Sequence, residues 1–399
     1  MLRYGAVDVD SEDSWRGDLE ARPDWPVLRK NIRAILECDW WGRAWIIQEV
    51  VMGREVIVQI GCHTFDWEPF SKFVGCEACS DQFPMLVTPD FVADIRNFRI
   101  ETHSGEAISI NFLALASRFR FQAAQAASFG SDKIYALLGL LASDNPTRLV
   151  PDYNKNPEEG FLSFVVSCIE HNNNLSAIAL AAGVELRGTS WCHDWRSTSD
   201  GQFSTLQLCA LPPPDVPEYS ASGACAPILD TDLNHRVLSL KGYEVDVVVK
   251  TREYYQDDQD NVDWLFALKG WEQMAGGPWQ DSHVEDAFHR TITGNRWNVK
   301  PLDWKSRIQA AGKPPRNEED RWYLKTIKRI CQNRRFLVTR SGRFVLGPWN
   351  LRKRDKVYIL FGGKTPFVLR LCRPPRGDTA GRMFHTVVGE AIVNGLVYY

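Results

Sequence analysis

The sequence predicts a mixed α+β fold, and three observations predict it. Apolar residues recur at helical spacing between Pro26 and Ile47 and again between Pro157 and His171. Short β-branched runs separated by Gly-containing turns fill the stretch from Arg335 to Val393. A segment rich in Pro, Ser, Ala and Gly, Leu211 to Pro227, parts the two kinds of pattern. The expected organisation is an acidic arm over 1–25, an α/β region with a helical continuation over 26–210, a linker over 211–235, and a module over 236–399 with a β-rich end.

Each element has its own signal. Val27, Leu28, Ile32, Ile35 and Leu36 share one face of a helix that leads into Trp40, Trp41, Trp45, Ile46 and Ile47. Glu55 to Ile60, ending at Gly61, reads as a strand, and Thr64 to Trp67 as its hairpin partner. Ile108 to Phe121 has helical spacing, and Asp132 precedes Ile134, Tyr135, Leu137, Leu138 and Leu140 as an acidic cap precedes a helix, with Gly139 near its end. Pro157, Glu158 and Glu159 open a helix whose inner side carries Phe161, Leu162, Phe164, Val165 and Ile169. Strands are expected over 237–240, 243–249, 335–339, 343–345, 356–361, 365–371 and 386–393, and part of the region between 257 and 304 is expected to be helical.

With 399 residues and 44% hydrophobic composition, the chain is long enough for two or three modest cores rather than one. A net charge of -3 gives no global pull towards nucleic acid or an anionic surface. No apolar run reaches the length of a membrane span, and the acidic start, with Asp8, Asp10, Glu12 and Asp13, lacks the basic and apolar blocks of a secretory signal. An intracellular, cytoplasmic location is expected, with the ten irregularly spaced cysteines as thiols.

Several separated segments resemble the fungal heterokaryon-incompatibility family. Gly42-Arg43-Ala44-Trp45-Ile46-Ile47-Gln48-Glu49-Val50 is similar to the segment that closes the family's named domain. Ser131-Asp132-Lys133-Ile134-Tyr135-Ala136-Leu137-Leu138-Gly139-Leu140 follows, and then Pro151-Asp152-Tyr153. Ser190-Trp191-Cys192-His193-Asp194-Trp195 resembles the family's Ser-Trp-x-x-Asp-Trp. Towards the end, Thr339-Arg340-Ser341-Gly342, Gly347-Pro348, Asp355-Lys356-Val357, Pro366-Phe367-Val368-Leu369-Arg370 and Val388-Gly389-Glu390 keep the family's order. The opening segments of the family, Tyr-x-Ala-Leu-Ser-Tyr-x-Trp-Gly and Trp-Ile-Asp-x-x-Cys-Ile-Asn-Gln, have no counterpart before Trp45, so the resemblance is to an amino-terminally incomplete member.

The resemblance implies a partial α/β domain, a role in non-self recognition and programmed cell death, and a protein partner. It also implies two alternatives: a TIR-like enzyme consuming NAD, and a degenerate fragment without activity. Arg43, Gln48 and Glu49 are the candidate catalytic residues, since a guanidinium and a carboxylate one or two helical turns apart can grip phosphate and ribose; the plainer reading is an ion pair that fixes a helix end. Asp132 reads as a cap and Asp152 as a turn residue.

Other constellations carry weaker chemistry. Cys62, His63, Cys76 and Cys79 supply zinc-ligand types, but hold one Cys-x-x-Cys pair only. Cys192, His193 and Asp194 are adjacent in the chain, so their side chains diverge instead of forming a triad. Gly362-Gly363-Lys364-Thr365 reads as a hairpin turn, not a phosphate loop. The basic stretch from Arg321 to Lys356, interleaved with Trp322, Tyr323, Phe336 and Phe344, reads as a solvated face rather than a nucleic-acid site.

Overall fold

A computed structural model describes residues 21–74, 89–104, 130–141, 150–181, 185–196, 219–232, 236–254, 263–277, 281–295, 317–374 and 383–396, with 115, 119 and 306. The fold is mixed α+β. The chain divides into two compact units, Met1–Asn145 and Pro146–Tyr399. The acidic arm to residue 20, most of the expected helix over 108–121, the acidic run at 257–262 and the parts 211–218 and 233–235 of the expected linker lie outside the described residues.

The first unit is built on helices α1 (Trp25–Leu36), α2 (Ile46–Met52), α3 (Trp67–Val74), α4 (Pro89–His103) and α5 (Asp132–Leu138), with a hairpin of β1 (Ile57–Ile60) and β2 (His63–Asp66). Its core holds Leu36, Trp41, Ile46, Ile47, Val50, Val51, Trp67, Val92, Ile95 and Phe98, all nearly solvent-free. Trp41 lies 6.3 Å from Trp67 and 6.0 Å from Phe70, ring to ring, and its indole N–H donates to the Ile35 carbonyl at 2.9 Å. Trp41 is therefore a packing residue with its one polar atom satisfied. Ser131, not Asp132, stands at the N-cap of α5, and no side chain caps it. Asp132 is the first helical residue and is buried, so the expected cap is displaced by one position.

The second unit begins with α6 (Pro157–Asn172), α7 (Ser176–Ala179) and a short hairpin of β3 (Glu185–Leu186) and β4 (Thr189–His193). The Asn156 side chain caps α6 by accepting from the Glu158 amide, and all five inner-face residues read from the sequence are buried. A second hairpin pairs β5 (Leu229–Asp232) with β6 (Val237–Leu240). The remaining strands are β7 (Gly242–Tyr254), β8 (Arg334–Thr339), β9 (Phe344–Pro348), β10 (Lys356–Leu360), β11 (Phe367–Cys372), β12 (Phe384–Glu390) and β13 (Ile392–Val393). Helices α8 (Asp263–Met274), α9 (Ser282–Ile292) and α10 (Glu318–Cys331) are inserted between β7 and β8.

These seven strands pair in the order β12-β11-β10-β7-β8-β9-β13. Because β12 and β13 are two stretches of one strand interrupted at Ala391, the two edges of this sheet are the same segment, and the sheet is a closed antiparallel barrel of six strands. Two long strands turn the corners. The first half of β7 pairs with β10 and the second half with β8, changing over at Val247 and Val248. Likewise β12 pairs with β11 and β13 with β9, across a bulge at Gly389, whose φ of 144° is open to glycine. One small apolar set fills the interior, with Val248, Leu337, Val345, Val357, Val368, Val388 and Val393 from the successive strands.

The loop from β9 to β10 adds Leu351 to that interior, and it fits because Gly347 has no side chain: a Cβ there would overlap Leu351. Outside the barrel, α8, α9 and α10 cover β8 and β9 through Trp271, Phe288, Tyr323 and Ile327 packed on Phe336, Phe344 and Leu346. The β12 side is held by β4, whose Ser190 hydroxyl accepts from the Val387 amide at 2.9 Å.

At the β12–β13 corner, Arg334 and Glu390 form a fully buried ion pair, 3.2 Å apart. The other Glu390 oxygen accepts from the Thr365 hydroxyl at 3.2 Å, and Arg334 donates also to the Leu346 carbonyl. Removing one member leaves a desolvated charge, which typically costs about 3–5 kcal/mol, whereas replacing both with apolar groups is close to neutral. Glu390→Ala is thus expected to lower the stability of the second unit by about 3–5 kcal/mol in urea unfolding. The double change Arg334→Met with Glu390→Leu should restore most of it. A loss below about 1 kcal/mol for Glu390→Ala would show that the pair does not hold the corner.

Candidate functional site

The two family-like segments of the first unit are brought together. Helix α2, which carries Gln48 and Glu49, packs against α5, and Ala44 beside Trp45 meets Ala136. Gly139 follows the last residue of α5 with φ of -70°, so no left-handed conformation demands glycine. Space demands it: a Cβ at Gly139 would overlap the Gln48 carboxamide. Gln48 is half-buried in this contact and serves packing.

The carbonyl end of α2 is held as firmly. Arg99 of α4 donates to the carbonyls of Val50, at 2.8 Å, of Gly53, and of Arg54, at 3.0 Å, while a His103 ring nitrogen lies 2.9 Å from the Val51 carbonyl. A guanidinium satisfying the last carbonyls of a helix also complements its dipole. Sequence reading missed Arg99, because nothing local ties a residue of α4 to the end of α2.

What remains outward on α2 and its approach is Arg43, Glu49 and Met52. The Arg43 guanidinium lies 3.6 Å from a Glu49 oxygen, with the two side chains 52% and 50% exposed. The pair is loose and solvated, which discounts it as a stabilising interaction. Cys62 is exposed in the β1–β2 turn and His63 begins β2; Cys76 and Cys79 lie outside the described residues. No group of three or more metal-ligating side chains occurs among the described residues.

In the second unit the Ser-Trp-x-x-Asp-Trp segment builds a polar hub. The Trp191 indole donates to the Arg236 carbonyl at 2.9 Å, and the Arg236 guanidinium reaches the Arg187 carbonyl at 2.8 Å and Glu158 at 2.6 Å. Arg196 grips both oxygens of Asp194 at 2.9 Å and a Glu158 oxygen at 3.0 Å. Arg236 itself holds φ of 55°, unusual for a residue with a side chain, and three partners fix it there. The hydrogen bond from Arg236 holds the Glu158 carboxyl below the usual range. Burial works to raise the Asp194 carboxyl, but the Arg196 side chain and amide outweigh it.

This hub is charge-balanced and structural. Cys192 is buried, and that burial, reinforced by Asp194, pushes its thiol up to about 12, far from a nucleophilic thiolate. His193 packs its ring edge-on to Trp195 at 4.9 Å, and Asp194 turns to Arg196. The three adjacent residues do diverge, as their spacing requires.

Further motif residues are spent on architecture. Asp152 accepts from the Asn154 amide in a side-chain turn, between exposed Pro151 and exposed Tyr153. Arg370 grips buried Asp355 through two 2.7 Å bonds, tying β11 to the β9–β10 loop. Leu369 is buried on the β11 surface and Pro348 at the end of β9. Gly342 closes the β8–β9 turn with φ of 84°, and Gly362-Gly363-Lys364-Thr365 is the β10–β11 turn. Comparison with protein-family models, with curated proteins and with solved structures found no match to this chain.

Two outcomes test this assignment. Where the backbone is right-handed helical, as at Gly139, an alanine normally gains about 0.5–1 kcal/mol over glycine, so Gly139→Ala should destabilise the chain only while Gln48 fills the space. In a Gln48→Ala background the same change should become neutral or stabilising; an unchanged effect in both backgrounds would break the link. For Glu158 the folded carboxyl is depressed, so its contribution is present above the ordinary glutamate range and is lost as pH falls through the folded value. The stability gap between the chain and its Glu158→Gln variant, measured by urea unfolding, should therefore be seen at pH 7 and shrink progressively as the pH is lowered through the acidic range. A gap independent of pH would mean the bonds to Arg236 and Arg196 add nothing.

Proposed function

We propose that this chain is a heterokaryon-incompatibility type protein that acts inside fungal cells in non-self recognition and programmed cell death, by binding another protein. The observation that carries the reading is the presentation of α2. Its inner residues Ile46, Ile47, Val50 and Val51 are buried, Gln48 is wedged against Gly139, and Arg99 clasps its carbonyl end. The helix, held by these contacts, displays Glu49 and Met52 to solvent, and Arg43 on its approach is exposed beside them.

A rigid element offering a guanidinium, a carboxylate and a thioether is suited to a protein surface, where arginine and methionine are favoured contacts. Catalysis asks for something else, namely desolvated and preorganised groups. The Arg43–Glu49 pair is half exposed and loose, which supports recognition over NAD consumption. The cysteines at 38, 62, 168, 192, 225, 331 and 372 are free thiols, in keeping with a reducing compartment.

The test is expression in fungal cells with viability, NAD content and co-purifying proteins followed together. The native chain should kill without NAD loss. Glu49→Ala alone should still kill, whereas Arg43→Glu with Glu49→Lys should lose a bound partner and the killing at unchanged abundance. NAD loss abolished by Glu49→Ala would establish the enzyme instead, and healthy cells at full expression would leave an inactive fragment.

A further inference from the structure

Basic side chains gather at one place on the barrel. The β9–β10 loop crosses the interior at Leu351 and emerges as Arg352-Lys353-Arg354, all three exposed. The β8–β9 turn brings exposed Arg340 to the same corner: the Arg340 amide donates to the Val247 carbonyl and the Arg354 amide to the Val248 carbonyl, both at 2.9 Å. Consecutive residues of one strand thus anchor the two basic tips, one on each flank, about two strand spacings or roughly 10 Å apart.

Two of the nearby acids face inward, and the exposed third, Glu244, is taken by Lys356 at 2.8 Å. Asp355 is buried and taken by Arg370 and by the Arg352 amide at 2.7 Å, and Asp246 accepts from Ser341 and from the Val247 amide. Arg340, Arg352, Lys353 and Arg354 have no ionic partner among the described residues. In a chain with a net charge of -3, this is a segregated positive surface.

A second feature lies beside it. Lys356 pairs with Leu369, so Leu371, two residues on, stands level with Arg354. Leu371 is 59% exposed, and Met383, next to the Phe384–Cys372 pair, is 73% exposed. Exposed Arg373 follows directly. Large aliphatic side chains interleaved with unpaired cations at loop tips have no counterpart in a phosphate backbone, where stacking on aromatic rings is the usual apolar contact. Nor do they match a run of carboxylates. They match a bilayer interface, where cations meet anionic headgroups and aliphatic groups enter the acyl boundary, two weak signals acting together.

We propose that this end of the barrel, formed by Arg340, Arg352, Lys353, Arg354, Leu371 and Met383, docks peripherally on an anionic phospholipid bilayer. Binding is reversible and salt-sensitive, because it rests on a handful of charges and two inserted side chains. No described helix is long and apolar enough to cross a membrane, and the surface does not require one.

The full chain is to be sedimented with phosphatidylcholine vesicles with and without phosphatidylserine, and titrated with an oligouridine of equal charge. Phosphatidylserine vesicles should bind it and plain phosphatidylcholine should not. Each cation removed should weaken binding about fivefold, so Arg352→Gln with Lys353→Gln and Arg354→Gln should cost on the order of a hundredfold while the circular dichroism spectrum is unchanged. Leu371→Ser with Met383→Ser should weaken binding several-fold with every charge in place. No binding of the native chain to phosphatidylserine vesicles overturns the proposal, which needs no variant to fold. Tight oligouridine binding indifferent to Leu371 and Met383 overturns it in favour of nucleic acid. The NAD and death outcomes above do not bear on any of these results.

Discussion

The second unit depends on one strand serving two edges. A sheet of six antiparallel strands would expose unpaired backbone at both ends; the segment Phe384–Val393 removes both by pairing with β11 in its first half and β9 in its second. The change of partner needs a kink, and Gly389 provides it through a backbone conformation that residues with side chains avoid. Glu390, next in the chain, is fully buried, where a lone carboxylate would be untenable. Arg334 and Thr365 supply its partners. Gly389 and Glu390 are thus parts of a single device.

Similar logic explains most of the residues that carry the family likeness. Gly347 makes room for Leu351, Arg370 neutralises Asp355, Trp191 pins the Arg236 backbone and Gly139 leaves space for Gln48. These side chains are buried or committed to a neighbour. The two proposed surfaces lie on what the described scaffold leaves exposed: the outer side of α2 in the first unit, and the cationic barrel corner in the second. A rigid support with a few outward groups is the arrangement that binding surfaces require.

Much of the fold was legible along the chain. Helical spacing located α1 and α6 to within a residue or two, and the β-branched runs located the barrel strands, because such patterns are local. What pairs with what was not legible. Barrel closure joins residues far apart in sequence, and β7 looked shorter than it is, since its second half, Lys250–Tyr254, carries polar residues that a period-two reading discounts. The candidate site was legible in part. The Arg43 and Glu49 side chains lie 3.6 Å apart, but Gln48 faces a glycine almost a hundred positions away, and no local signal assigns it to packing. Arg99 and Arg236 were invisible for the same reason: each acts on carbonyls or carboxylates of remote segments.

The central claim is that the buried residues of the family-like segments build the scaffold while exposed groups on it act. A library of single substitutions over 40–52, 131–140, 189–196 and 339–390, scored in fungal cells separately for protein abundance and for death, tests it most directly. The account predicts that changes at Trp45, Gly139, Trp191, Gly347, Asp355 and Glu390 lose abundance and death together, while charge reversal at Arg43 loses death at full abundance. Buried motif positions that abolish death in a fully abundant protein would contradict it.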